Sequence, residues 1–250
     1  MKHGLIKTAL FTAAGAALVK VSKKSMELRK ANSDIYRPSE DFFVDGKLNN
    51  KKIAFLGSSV TYGLAANGIS FVDFLRVEHG VDAIKEAVSG TTLADLDDSS
   101  YVSRLRKHLD TKQPLDLFAC QLSTNDQRKG AKMGFISRSY DMDDFDTSTS
   151  LGAIEYIIAY VQKHWDCPIV FYTCLRSPNP AYEFLRKQLF ELQYKWHFAI
   201  IDIWNNANLA KLNQQHPEFM LDDTHPTCAG YRYGWTPIFV RELDSMLDDD

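Results

Sequence analysis

From Lys51 onward, short apolar runs alternate with longer stretches that repeat at the helical period. The runs that predict strands cover residues 52–56, 83–88, 115–122, 168–175 and 198–203. The stretches that predict helices cover residues 70–79, 93–109, 150–165, 181–196 and 227–247, the last interrupted or kinked near Pro237. Nearly continuous apolar strands are buried on both faces, so five of them between helices indicate a parallel sheet. Right-handed crossovers then predict an α/β protein built as a three-layer α/β/α sandwich.

The first fifty residues do not follow this alternation. An apolar run at residues 8–19 is flanked by lysines, and it is shorter than the roughly 20 residues that a membrane-spanning helix needs. An uncleaved signal anchor fits this pattern, and so does an amphipathic helix that lies on a membrane or on the domain. The predicted organisation is an apolar, basic segment at 1–24, a polar connector at 25–50 and one domain at 51–250. With a signal anchor the chain would be membrane-anchored or extracellular-facing through residues 1–24, and otherwise cytoplasmic.

The overall composition is that of a globular protein, with 45% hydrophobic and 24% charged residues. A formal net charge of -3 provides no basic field for nucleic acid, so a nucleic-acid partner is not expected. The four cysteines, Cys120, Cys167, Cys174 and Cys228, form no CxxC pair. We expect buried free thiols rather than a zinc site.

Polar residues follow the predicted strands at the edge where parallel sheets bind ligands. The first strand runs into Gly57-Ser58-Ser59, the second ends near Gly90, and the third leads to Asn125. Each stretch alone also fits a turn or a helix cap. A phosphate-binding loop is less well supported, because no Gly-Lys-Ser/Thr sequence follows the first strand. The polar segment 127–149 is longer than a plain connection and predicts a lid or a substrate-facing loop.

Asp222 and His225 are three residues apart, just before the last predicted helix. At this spacing the carboxylate can hold the Nδ1–H group of the imidazole and leave Nε2 free to act as a base. A surface loop with an incidental histidine fits the same residues in isolation.

The four stretches just described, at Gly57-Ser58-Ser59, Gly90, Asn125 and Asp222 to His225, follow one another along the chain in the order of four sequence blocks of a known family. In this order they resemble the SGNH hydrolase superfamily, also called GDSL esterases and lipases. The first family block, Gly-Asp-Ser-φ-Thr, is matched at residues 57–61, with Ser59 at the nucleophile position and Ser58 replacing the aspartate. The second-block glycine corresponds to Gly90. The third block, Gly-x-Asn-Asp, is matched around Asn125, with Ser123 replacing the glycine.

The last family block, Asp-x-x-His-Pro, is met in full at residues 222–226, and the likeness spans about residues 51–245. It implies a flavodoxin-like α/β/α fold and a carboxylic ester hydrolase that forms an acyl-enzyme on Ser59. Asp222 and His225 would complete the catalytic triad. The oxyanion hole would consist of the Ser59 and Gly90 amides and the Asn125 side chain. No metal or organic cofactor is implied.

The substrate expected from the resemblance is an ester with a short acyl or acetyl group, on a carbohydrate or a lipid. A non-catalytic carbohydrate-binding or scaffold module on the same fold is the alternative. A phosphate-binding flavodoxin-like domain fits less well, because Asp222 and His225 would then have no role. The replacements at Ser58 and Ser123 leave all five implied site residues intact, which favours activity.

Overall fold

The computed structural model describes residues 23–247, and their centre is a parallel sheet of five strands in the order β2-β1-β3-β4-β5. The strands are β1 (Lys52–Gly57), β2 (Asp82–Ala87), β3 (Leu117–Gln121), β4 (Ile169–Tyr172) and β5 (Ala199–Ile201). All five predicted strands are confirmed, with small differences at their ends. Because β1 pairs with both β2 and β3, the order of strands reverses at β1, where such sheets bind ligands.

Helices cover both faces of this sheet. They are α1 (residues 23–31), α2 (Ser59–Tyr62), α3 (Phe71–Glu78), α4 (Tyr101–His108), α5 (Ser150–His164), α6 (Pro180–Trp196), α7 (Ala207–Gln215), α8 (Cys228–Gly230) and α9 (Thr236–Asp244). Helix α3 packs against α9, whereas α4 and α6 pack against α5. The predicted three-layer α/β/α sandwich is therefore confirmed. The sequence pattern does not predict α7, which is largely polar and buries only Leu209.

The helix predicted over residues 93–109 is wrong in its first half, because α4 begins only at Tyr101. The backbone N–H groups of Leu93 and Ala94 donate instead to the Asp126 carboxylate, over 2.9 and 3.0 Å. The Ser100 side chain then caps the shorter helix. A tertiary hydrogen bond therefore decides where this helix starts.

The last predicted helix corresponds to α8, a π-helical turn at Tyr231–Trp235 and α9, which follow one another directly. Pro237 lies in the first turn of α9, where a proline is tolerated, and it does not end the helix. The Tyr231 hydroxyl donates to the Val60 carbonyl over 2.6 Å. The π turn thus fastens the C-terminal helix to the chain that follows β1.

Aromatic rings fill the core between the sheet and this helix. Phe71 stacks on Phe239 with 3.8 Å between ring centroids, and it meets Tyr172 edge-on at 5.5 Å. Trp235 stacks on Phe239 at 6.1 Å, and all four rings are buried. Burying a ring of this size contributes about 2–3 kcal/mol, so the end of β1 rests on a well-packed layer.

The segment 25–50, predicted as a connector, packs along the domain. The Asn32 side chain donates to the Ala65 carbonyl over 2.9 Å and accepts from the Cys228 N–H over 2.8 Å. The Arg232 guanidinium donates to the Tyr36 carbonyl over 3.1 Å. Most of the predicted segment 1–24 lies outside the described residues. Between residues 23 and 247, every helix is too short or too polar to cross a bilayer.

Candidate active site

The first candidate stretch forms a sharp turn between β1 and α2. Strand β1 ends at Gly57, Ser59 begins α2, and Gly63 follows it in the left-handed conformation with a φ of 90°. A Cβ atom at Gly57 would lie 1.8 Å from Thr61 Oγ1, so only glycine lets the chain fold back this closely. The turn places Ser59 at the carboxyl end of a central strand.

Ser59, His225 and Asp222 form one hydrogen-bonded chain. Ser59 Oγ lies 2.8 Å from His225 Nε2. On the other side of the ring, His225 Nδ1 lies 2.9 and 2.8 Å from the two Asp222 carboxylate oxygens. In this arrangement the carboxylate can orient the imidazole, and the imidazole can accept the Ser59 proton.

The loop that carries Asp222 and His225 is closed by its own backbone. The Leu221 N–H donates to the His225 carbonyl over 2.9 Å. Asp222 Oδ1 also accepts from the backbone N–H groups of Thr224 and His225, each over 2.8 Å. Burial acts to raise the pKa of Asp222, but the hydrogen bonds from the His225 ring and these two N–H groups outweigh it. The pKa of Asp222 therefore lies below its ordinary value, and the carboxylate is ionised at neutral pH.

Gln121 was not singled out from the sequence, yet it holds the serine turn. Its Oε1 accepts from the N–H groups of Ser58 and Thr61 over 2.9 and 3.3 Å, and from the Thr61 hydroxyl over 2.6 Å. Its Nε2 donates to the Ser58 hydroxyl over 3.1 Å. Gln121 is fully buried at the end of β3. The available signal was a polar residue that closes an otherwise apolar strand.

Gly90 and Asn125 lie at the same edge of the sheet, joined to the turn through Ser58 and Thr91. Asn125 Nδ2 donates to the Thr91 carbonyl over 3.0 Å and to the Ser58 hydroxyl over 3.4 Å. Gly90 has a φ of 79°, and no atom lies within 4 Å of the Cβ that it lacks. Its backbone conformation, not lack of space, therefore favours glycine. Among the described residues, neither makes a hydrogen bond to the Ser59 side chain.

Ser123, at the position where the SGNH pattern has a glycine, takes part in this arrangement. Its hydroxyl donates to the Thr91 carbonyl over 3.0 Å and accepts from the Asn125 N–H over 3.0 Å. These two hydrogen bonds hold Asn125 near the chain that follows Gly90.

Arg104 connects the carboxyl ends of β1 and β2 through hydrogen bonds to both strands. It donates to the carbonyls of Gly57 and Glu86 over 2.8 and 2.9 Å, and it pairs with the Glu86 carboxylate at 3.0 Å. It also donates to the Thr91 hydroxyl over 3.2 Å. Its side chain is almost fully buried. Sequence reasoning missed Arg104 because an arginine in a short amphipathic helix normally faces solvent.

Asp126 holds two further segments in place. It accepts from the N–H groups of Leu93 and Ala94, and from the Ser150 hydroxyl over 3.0 Å. Burial raises the pKa of this carboxyl above its ordinary value, and the hydrogen bonds only partly offset that shift. Asp126 therefore links the loop after β2 to the start of α5.

The segment 127–149 lines a cavity of about 860 Å³ together with the first turns of α5 and α6. The apolar residues that line it are Met133, Phe135, Ile136, Phe145 and Phe184. Lys195 fastens the segment, since it pairs with the buried Glu155 carboxylate at 2.5 Å and donates to the Ser137 carbonyl over 2.8 Å. The predicted role as a lid or substrate-facing loop stays a prediction.

The four cysteines are free, as expected, and three of them are buried. Burial raises the pKa of Cys167 and of Cys228 to about 11, so these thiols are neutral at pH 7. Across residues 23–247, no cluster of three His, Cys, Asp or Glu side chains is arranged to hold a metal ion.

Solved structures of bacterial proteins superpose on this chain. A protein from Lactobacillus plantarum does so with a TM-score of 0.65 at 18% identity, over 79% of this chain and 98% of that one. One described as a proposed GDSL-like lipase, from Bacteroides uniformis, gives 0.57 at 19% identity over 78% and 96%. One described as a proposed acylhydrolase, from Bacteroides fragilis, gives 0.55 at 16% identity over 84% and 94%.

No protein-family model matches the chain, and no curated protein sequence matches it. The likeness to the solved structures is one of architecture at low sequence identity, and it extends over nearly their whole length. The chain therefore has the three-layer fold of the SGNH, or GDSL, hydrolases.

Proposed function

We propose that this protein is a serine esterase or acylhydrolase that works through an acyl-enzyme. The observation that carries the proposal is the hydrogen-bonded chain from Ser59 through His225 to Asp222, at the carboxyl edge of the sheet. A nucleophile, a base and a group that orients the base are the three parts that acyl transfer requires.

In the proposed reaction, His225 Nε2 takes the hydroxyl proton of Ser59 while Ser59 Oγ attacks the ester carbonyl carbon. Asp222 keeps the proton of the imidazole on Nδ1 and stabilises the ring when it becomes positive. His225 then protonates the departing alcohol, which leaves an acyl group on Ser59. A water molecule, deprotonated by His225, releases the acid and restores the serine.

The proposed oxyanion donors are the backbone N–H groups of Ser59 and Gly90 and the side-chain amide of Asn125. Support for Asn125 comes from its position, since its Nδ2 lies 3.4 Å from the hydroxyl of Ser58, the neighbour of Ser59. In the proposal, the N–H group that makes this long hydrogen bond turns to the oxyanion, while the other keeps its bond to the Thr91 carbonyl. A neutral amide stabilises a developing negative charge without a buried charge of its own. Loss of one such donor is expected to cost about 3 kcal/mol, or a hundredfold in rate.

The substrate that we propose is an ester with a short acyl or acetyl group, carried on a carbohydrate or a lipid. A cavity of about 520 Å³ lies on the Asp222 side of the triad and is lined by Leu221, Asp222 and Trp204, among others, but not by Ser59 or His225. This size falls in the range of small-molecule sites, so one part of a small ester would fit there.

Two measurements on the full chain test the proposal. We expect labelling by a fluorophosphonate probe and hydrolysis of p-nitrophenyl acetate, and both are expected to disappear in Ser59→Ala. Ser89→Ala is the matched control, since Ser89 is an exposed serine next to Gly90. A folded protein that neither reacts with the probe nor turns over the ester would instead indicate a non-catalytic binding module.

If the protein does turn over p-nitrophenyl acetate, a comparison of acetate, butyrate and octanoate esters gives the preferred acyl length.

A further inference from the structure

Exposed apolar side chains lie next to the candidate site residues in the sequence. They are Tyr62, Leu64, Val88 and Leu221, with 43%, 47%, 41% and 41% of their surface accessible to solvent, and we call them the site rim. Each lies close in sequence to a candidate site residue: Tyr62 and Leu64 follow Ser59, Val88 precedes Gly90, and Leu221 precedes Asp222. Single exposed apolar residues are common on protein surfaces. Four of them, each within a few positions of a candidate site residue, are typical of a surface that contacts something apolar.

Helix α1 lies beside Leu221, one member of this rim. Its Lys24 lines one cavity with Leu221 and Asp222, and a second cavity with Asn67, which follows the serine turn. The end of the helix is fixed to the domain, because Ala31 is buried and Asn32 bonds to two separate segments. Helix α1 therefore connects the chain that precedes it to the site rim in a set position.

The sequence before α1 and the charges on α1 indicate which kind of partner the rim and this helix contact. The apolar run at residues 8–19 ends only a few residues before α1, with Lys20 between them. On α1 itself, Lys23, Lys24, Arg29 and Lys30 are all exposed. Apolar side chains that occur together with basic ones match the two parts of an anionic bilayer surface, the acyl region and the phosphate headgroups.

We propose that the site rim and the basic residues of α1 form a membrane-contact surface whose partner is an anionic lipid bilayer. The edge of the sheet that carries Ser59 then faces the bilayer, and an ester in the bilayer has a short path to the site. This contact does not depend on the proposed hydrolysis, so it can be measured whether or not the protein is an esterase.

The direct test places an environment-sensitive nitrobenzoxadiazole label on the rim of the full chain. Leu64→Cys carries the label in a Cys167→Ser background, because Cys167 is the only native cysteine that is not buried. On vesicles of phosphatidylcholine with phosphatidylglycerol, we expect a severalfold rise and a blue shift of the emission. Phe135→Cys is the matched control: Phe135 is 92% exposed but lines a different cavity, so its label should not change.

Charge reversal tests the basic part of the surface. Lys23→Glu combined with Lys24→Glu should weaken binding to the anionic vesicles about 25-fold or more, at about fivefold per lysine. Lys112→Glu combined with Lys163→Glu is the control, since both lysines are exposed. They come before β3 and β4, at the amino ends of the strands, whereas the candidate site lies at the carboxyl ends. That pair should leave vesicle binding unchanged.

Three results would overturn the proposal. The first is a full chain that does not co-sediment with the anionic vesicles. The second is co-sedimentation without any change at position 64, which would mean that the chain binds through residues 1–22 and holds the site away from the lipid. The third is a label at position 64 that is already blue-shifted without vesicles and does not change when they are added. In that case the apolar run at 8–19 would cover the rim itself.

Discussion

At the scale of single residues, the serine turn depends on a side chain from a neighbouring strand. Gln121 is 63 positions from Ser58 in sequence and bonds to both its N–H and its hydroxyl. Where the family pattern has an aspartate, this chain has the neutral Ser58, and its partner Gln121 is also neutral. No charge therefore has to be desolvated directly beside Ser59.

We predict that Gln121→Leu lowers both stability and turnover. The substitution would leave the N–H groups of Ser58 and Thr61 without their buried acceptor, at a cost of about 3 kcal/mol in the free energy of unfolding. The turn would also shift, so kcat/KM for p-nitrophenyl acetate should fall by about tenfold or more. Urea unfolding and initial rates give the two values.

The control for this prediction is Gln162→Leu, at an exposed position of α5. It should change the free energy of unfolding by less than about 0.5 kcal/mol and leave the rate as it is. Equal behaviour of the two variants would show that Gln121 does not support the turn.

At the scale of elements, Lys195 of α6 joins the segment 127–149 to α5. Its ammonium group pairs with the buried Glu155 carboxylate and lies over the rings of Tyr140 and Trp196, 4.8 and 4.9 Å from their centroids. It also donates to the Ser137 carbonyl. One side chain therefore connects two helices and a long loop.

Lys195→Met is expected to loosen this junction. The carboxylate of Glu155 would remain buried without its counter-charge, which costs about 3 kcal/mol of unfolding free energy or more. We also expect trypsin to cleave faster after Arg138, in the released segment. Lys187→Met is the control on the same helix, because Lys187 is exposed and its ion pair is with the partly exposed Glu183. Unchanged cleavage at Arg138 in the Lys195 variant would contradict the assigned role.

At the scale of the whole molecule, Asp126 makes the stability of the fold depend on pH. Burial raises the pKa of Asp126 in the folded state above its ordinary value of 3.8, so the folded chain binds the proton more tightly than the unfolded chain. The resulting stabilisation is fully present below the unfolded pKa. It is lost as the pH rises through the folded pKa.

We therefore predict that the unfolding free energy of wild type minus that of Asp126→Asn is greatest at acidic pH. This difference should decrease as the pH rises above 3.8 and become constant above the folded pKa of Asp126. Urea unfolding at a series of pH values measures it. A difference that grows with pH instead would mean that the three hydrogen bonds to the carboxylate outweigh its burial.

The sequence by itself determined the five strands, most of the helices and the residues that carry the candidate chemistry. Apolar periodicity is a local property of the chain, so β1 and α5 can be recognised without knowledge of their neighbours. The order of the motif blocks likewise indicated Ser59, Asp222 and His225 before their distances were known. Their catalytic roles remain predictions.

Only the tertiary structure decided how that chemistry is held in place. Ser59 and His225 are 166 positions apart, and their contact exists only once the sheet has assembled. Gln121 and Arg104 act through hydrogen bonds whose energy depends on burial, and a single sequence does not show which polar residues will be buried. The late start of α4 has the same cause, because the carboxylate of Asp126 that binds the preceding loop comes from another part of the chain.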